Sequence, residues 1–219
     1  LLEPERYVAV DISVDFLHDA LRRVQREHPS LDVVGLGQDF SSSLDLEAEL
    51  VANRAVFFYP GSSIGNFTPD EALAFLKRVR TQAHGGGLLI GVDLVKPTAI
   101  LQAAYDDAIG VTAAFNLNIL RQLNRLIGSD FSPTDWRHIG LYNEAASRVE
   151  MHLEARHPVD VRWPGAHRAF GVGERIHTEN SCKYTLETFA ALLQEAGFNT
   201  PEHWTDERGW FGVFWAPAN

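Results

Sequence analysis

Four short and largely apolar segments, residues 7–10, 32–36, 55–59 and 88–92, recur through the first half of the chain, separated by helical patterns or polar turns. A strand with one wet face alternates apolar and polar residues, whereas a strand covered on both faces reads as a continuous apolar run. Runs of this kind interleaved with helices predict an α/β architecture built on an open, mostly parallel sheet. Ligands of such sheets sit at the carboxyl ends of the strands. The runs are far shorter than the roughly 20 apolar residues a bilayer span needs, so buried strands are expected and not membrane helices.

The connecting segments carry their own signals. After Ser13, the apolar residues Val14, Leu17, Leu21 and Val24 keep a helical spacing until Pro29. Thr68-Pro69-Asp70-Glu71 combines an N-cap threonine, a proline at the first helical position and acids in the first turn, and predicts a helix to about Ala83 that Gly85-Gly86-Gly87 ends. Two more helical stretches follow, at about residues 98–107 and 111–127. The texture then changes. Residues 138–142, 147–156, 159–163 and 168–172 mix apolar and polar residues in rough alternation, with Pro164-Gly165 as a turn, and predict an antiparallel, half-exposed sheet. The polar run 173–184 reads most simply as a loop capping a helix at 186–196. Short strands around 203–204 and 210–215 are candidates to return to the main sheet. The chain therefore divides into a core, residues 1–110 with 184–219, and an inserted helical and β region, residues 111–183.

Nineteen lysines and arginines against twenty-nine acids give a net charge of −10, which repels phosphate backbones and anionic membranes. Nucleic acid and membrane partners are not expected. The one cysteine, Cys182, allows neither an internal disulfide nor a thiolate zinc site. Nine histidines form no His-Glu-x-x-His pattern, and the spacing of His152 and His157 does not put them on one ligand face, so no metal site is expected. These features fit a cytoplasmic protein acting on a small molecule, and a monomer is expected.

Three predicted strands end in a carboxylate: Asp11, Asp39 followed by Phe40, and Asp93. An acid at one tip accepts ribose hydroxyls, and an acid with an aromatic at the next accepts an adenine amino group while the ring covers the base. Gly61-Ser62-Ser63-Ile64-Gly65 also fits the G-x-S-x-G loop of an α/β serine hydrolase with Ser63 as nucleophile, although such an elbow needs its helix directly after the serine and the helix signals here sit at Thr68-Pro69. Asn66, at the exit of the loop, is placed to hold a polar ligand. Glu179 and Ser181, two apart, offer a carboxylate and a hydroxyl to one side, a pair able to grip an imidazole or an amine.

With these residues in view, the sequence resembles the histidine-specific S-adenosylmethionine-dependent methyltransferases, which trimethylate the α-amine of L-histidine to hercynine in ergothioneine biosynthesis. The shared stretches run nearly the whole chain: residues 10–13, 39–40, 60–66, 91–96, 104–107, 111–116, 149–151 and 178–183. The resemblance implies a Rossmann-like methyltransferase sheet with an inserted antiparallel β substrate-binding region. It implies that Asp11 holds the ribose of S-adenosylmethionine and that Asp39 and Phe40 contact its adenine. Asn66 and Tyr105 would orient the amino and carboxylate groups of L-histidine, as the catalytic pair, while Glu179 and Ser181 bind its imidazole and Met151 shapes that part of the pocket.

One departure from the family pattern stands out. Before the strand ending in Asp11, such enzymes carry another strand with a glycine-rich loop, and a helical N-terminal region. Neither pattern is found here, and the sequence opens on Leu1-Leu2, which reads as the C-terminal part of such an enzyme. The absent strand is central in a doubly wound order, so two unpaired strand edges are expected.

Overall fold

The computed structural model describes residues 4–44, 46, 54–83 and 85–219. The first unit is strand β1 (Arg6–Asp11), helix α1 (Val14–Glu27) and strand β2 (Asp32–Gly37), the two strands running parallel with Arg6 opposite Asp32 and Asp11 opposite Gly37. A second sheet has the order β10 (Glu202–Thr205), β11 (Phe211–Pro217), β4 (Gly87–Asp93), β3 (Val56–Tyr59). Its parallel pair is β3 (Val56–Tyr59) and β4 (Gly87–Asp93), joined by a 3-10 turn at Ser63–Asn66 and helix α2 (Pro69–Gln82).

α2 starts where its sequence says. The Glu71 amide donates to the Thr68 hydroxyl while the Thr68 amide donates to the Glu71 carboxylate, a reciprocal cap on two otherwise orphaned N–H groups.

β4 is the buried centre: Leu88, Ile90 and Val92 are wholly excluded from water and pack with Leu76 of α2, and with Phe189 and Phe214 from the C-terminal part of the chain. β1 and β3 are not buried on both faces, contrary to the reading of their apolar runs. Tyr7 is 42% exposed, Val56 46% and Phe58 66%. Among the described residues β1 pairs with β2 alone and β3 with β4 alone, so each keeps one edge without a ladder partner. Apolar runs state that a strand suits a covered site; the cover itself comes from neighbouring elements.

Helix α3 (Thr98–Tyr105) leads into helix α4 (Val111–Ile127) and the antiparallel strands β5 (Trp136–Asn143), β6 (Arg148–Ala155) and β9 (Arg175–Cys182), with the hairpin β7 (Val159–Trp163) and β8 (Ala166–Phe170) between β6 and β9. This region has its own apolar cluster around Leu120, Trp136, Leu153, Val161 and Phe170, separate from that of the main sheet. The run expected as a capping loop is largely strand β9. It pairs with β6 from Cys182 opposite Arg148 to Arg175 opposite Glu154, with a bulge at Met151/His152 that breaks the alternation. Helix α5 (Leu186–Glu195) and strands β10 (Glu202–Thr205) and β11 (Phe211–Pro217) return the chain to the main sheet, where β11 lies antiparallel to β4. No helix among the described residues is long and apolar enough to cross a membrane.

Candidate active site

The loop after β3, the carboxyl end of β4, the end of α3 and the end of β9 converge on one cavity of about 360 Å³, whose lining includes Ser62, Ser63, Asn66, Asp93, Tyr105 and Ser181. Its position at the carboxyl end of parallel strands is the one the sheet topology predicts. Ser62 takes a left-handed backbone, φ 60°, and its hydroxyl accepts the Asp93 amide at 2.8 Å, which ties the loop to the tip of β4. Gly65 then packs the turn onto β9 so closely that a Cβ there would lie 2.9 Å from the Cys182 carbonyl oxygen. Asn66, the next residue, ends the turn on the cavity wall.

Tyr105 is held at both ends. Its carbonyl accepts from His138 Nε2 at 2.7 Å, and His138 Nδ1 is 2.9 Å from Nδ2 of the fully buried Asn116. An amide nitrogen only donates, so His138 Nδ1 accepts and its proton resides on Nε2, where Tyr105 needs it. Just beyond, the Asp107 carboxylate accepts the amides of Thr112 at 2.8 Å and Val111 at 2.9 Å, bonds that lower its pKa to about 2 and fix the start of α4. At the other end, the Tyr105 hydroxyl is 2.7 Å from Ser181 Oγ and 3.0 Å from Lys183 Nζ. Lys183 also reaches Ser181 Oγ at 2.6 Å and Asp93 Oδ2 at 2.9 Å, while Lys96 holds Asp93 Oδ1 at 2.5 Å. Asp93 is therefore the counter-ion of two lysines.

Asn66, Tyr105 and Ser181 thus meet around one space. Met151 and Glu179 lie opposite one another in register on β6 and β9, outside the lining of that cavity, with Met151 buried and Glu179 half-buried. Glu179 and Ser181 share a face of β9, as two-residue spacing on a strand requires. Burial raises the Glu179 pKa, and among the described residues no donor reaches its carboxylate. Asp11, Asp39 and Phe40 lie at or beyond the carboxyl ends of β1 and β2, away from the cavity lining. The hydrolase alternative fares poorly: among the described residues no histidine lines the cavity, and the backbone strain falls on Ser62 and not on Ser63, which opens the 3-10 turn.

Three residues that matter were not picked out from sequence: Lys183, Asn116 and His138. Lys183 continues the two-residue spacing of Glu179 and Ser181, which was the available signal. On the sheet face opposite Met151, Glu150, His152 and His177 have polar atoms within 4.8 Å of one another, a neighbourhood the pairing of His152 with His157 did not anticipate. His157 instead faces Asp135 at 3.3 Å. Burial opposes ionisation of Glu150, but Arg148 and its other partners bring its pKa to about 2; the His152 and His177 rings stack with centroids 4.6 Å apart at 25°. The stacked rings do not aim their in-plane nitrogens at one point, and burial pushes the His152 pKa down, so the ion pair of this cluster is Glu150 with Arg148.

The histidine N-alpha-methyltransferase of Mycolicibacterium smegmatis is 38% identical to this chain over 211 residues, 95% of this chain and 65% of that protein. Ergothioneine biosynthesis protein 1 of Neurospora crassa is 32% identical over 209 residues, 91% of this chain and 23% of that protein. Among solved structures, a possible exported protein from Bordetella parapertussis shares the fold with a TM-score of 0.50 and 16% identity, covering 96% of this chain and 52% of that one. The chain accordingly spans 65% of the length of the mycobacterial relative. The family model for histidine-specific, S-adenosylmethionine-dependent methyltransferases matches residues 2–218, and the chain belongs to that family.

Proposed function

We propose that the protein transfers methyl groups from S-adenosylmethionine to the α-amino group of L-histidine, up to trimethylhistidine (hercynine), as a step of ergothioneine biosynthesis. The observation that carries this reading is the meeting of Asn66, Tyr105 and Ser181 around one cavity, with Glu179 next along the same face of β9.

The strand-tip residues suit the cofactor. Asp11 Oδ1 accepts the Ser13 amide at 2.7 Å, which steadies the carboxylate and leaves its second oxygen for ribose hydroxyls. Asp39 Oδ1 accepts from the Ser41 hydroxyl at 2.5 Å and the Ser41 amide at 3.0 Å, and these bonds hold its pKa below the usual carboxylate range, so it is a charged acceptor for an adenine amino group. The Phe40 ring is fixed by Tyr59 and Phe75, with centroids 5.8 and 6.1 Å away, as an apolar wall. When bound, the sulfonium supplies an electrophilic methyl carbon.

The remaining task is alignment, which converts a bimolecular displacement into an effectively unimolecular one. Asn66 and Tyr105 hold the amine and carboxylate of the amino acid, whose bound ammonium must lose a proton before the amine can attack. Glu179 and Ser181 read the imidazole, with Met151 beside them. An apolar side chain would leave their polar groups unpaired, at about 1–3 kcal/mol each. In this reading residues 1–110 with 184–219 hold the cofactor and, through Asn66 and Tyr105, the amine and carboxylate of the amino acid, residues 111–183 read its side chain, and the protein works as a cytoplasmic monomer without nucleic acid, membrane or metal.

The test is mass spectrometry of the protein as its gene encodes it, incubated with S-adenosylmethionine and all twenty amino acids. Mono-, di- and trimethylated histidine are expected; methylation of a different amino acid, or no product from folded protein, overturns the reading.

A further inference from the structure

The Lys183 side chain is wholly excluded from solvent, behind the two hydroxyls that line the cavity. A buried ammonium is tolerated where it is paired and all its N–H bonds are used. Here three N–H bonds meet three acceptors: Asp93 Oδ2 at 2.9 Å, Tyr105 Oη at 3.0 Å and Ser181 Oγ at 2.6 Å.

An ammonium donates and never accepts, so each hydroxyl oxygen must give Lys183 a lone pair. The phenol, the stronger acid of the two hydroxyls, donates to Ser181 Oγ at 2.7 Å. Ser181 Oγ then accepts twice, and its own proton, with no partner inside the triad, is directed to the cavity. Tyr105 Oη has donated once and accepted once, and it keeps one lone pair for a ligand.

We propose that Lys183 is a positioning residue that fixes the polarity of the substrate pocket, making Ser181 a donor and Tyr105 an acceptor toward the bound amino acid. This rests on the histidine reading above and deepens it. An N–H of the amine meets Tyr105, the bare ring nitrogen meets Ser181, and the ring N–H meets Glu179. The site therefore takes a neutral imidazole, which has one donor and one acceptor, and rejects both imidazolium, which has no acceptor, and rings that only donate.

The experiment compares the unaltered protein, as its gene encodes it, with Lys183→Met and Ser181→Ala. Each is assayed on L-histidine and on β-(pyrrol-2-yl)alanine, whose ring has an N–H and no acceptor nitrogen. The unaltered enzyme should prefer histidine by about 100-fold in kcat/KM or more, and its activity should fall as pH drops through the imidazole pKa of about 6.5. In Lys183→Met the hydroxyls are free to turn: the preference should shrink about tenfold or more through KM for histidine, the acid limb should flatten, and affinity for S-adenosylmethionine should hold. Ser181→Ala keeps the ion pair and should lose the same preference, so it carries the test if Lys183→Met does not fold. Histidine turnover with an unchanged preference and acid limb in the folded variant overturns the polarity assignment alone. No histidine turnover in the unaltered enzyme overturns the functional reading and this inference with it.

Discussion

The carbonyl oxygen of Tyr105 lies 2.7 Å from where a Cβ on Gly140 would stand, so the end of α3 rests on bare backbone of β5. The same oxygen accepts from His138, two residues earlier on that strand. Interiors packed at crystal density have no slack at such a contact. Gly140→Ala should therefore lift α3, weaken histidine binding about tenfold or more and cost about 1–3 kcal/mol of stability, while cofactor affinity stays the same. Calorimetric titration with both ligands checks this; unchanged histidine binding would show that Tyr105 does not depend on the contact.

Asn116 acts one step further back. Its amide nitrogen serves His138 Nδ1 at 2.9 Å and the His152 carbonyl at 3.2 Å, from a side chain wholly excluded from water. Asn116→Ala should leave the buried His138 Nδ1 without its donor and cost about 1–3 kcal/mol. It should also release His138 from its Nε2–H tautomer, which nitrogen chemical shifts of the ring report directly; a His138 tautomer that does not change would remove Asn116 from the chain of contacts behind Tyr105.

What was legible in the sequence was local. The start of α2 at Thr68-Pro69 was readable because a cap is made by residues three apart. Glu179 and Ser181 could be placed on one face because strand spacing alone decides it. β9 itself was hidden, since Arg175, His177 and Glu179 look like loop residues until β6 is beside them, and the bulge at Met151/His152 breaks the period. The role of Lys183 was hidden for a different reason. Its three acceptors come from the end of β4, the end of α3 and β9, and no spacing rule brings Asp93 or Tyr105 to it.

The separate apolar cluster of the inserted region makes a further prediction. Trp136 is fully buried there and meets the Phe170 ring edge-on at a centroid distance of 5.0 Å. Trp136→Ala should cost about 3–5 kcal/mol. If residues 111–183 have a core of their own, the loss of amide exchange protection should concentrate in β5 to β8 and spare β4 and β11. Equal loss in both sheets would mean that the two clusters unfold as one.

If Glu179 reads the imidazole, its burial sets that role against stability. Its folded pKa is raised above the ordinary 4.5 by burial, so the folded state disfavours the charged form. The carboxylate therefore lowers stability at pH above its folded pKa, and that penalty disappears as pH falls below the unfolded value. Glu179→Gln, which keeps the shape and removes the charge, should raise the Tm of the unliganded protein at pH 7, with a gain that fades to nothing below about pH 4. The same substitution should weaken histidine binding, because the ring N–H then meets a neutral amide in place of a charged acceptor. Thermal unfolding across pH 4–8 with a parallel histidine titration at pH 7 measures both. A lower Tm at pH 7, or tighter histidine binding, would show that this carboxylate already has a partner in the fold and does not wait for the imidazole.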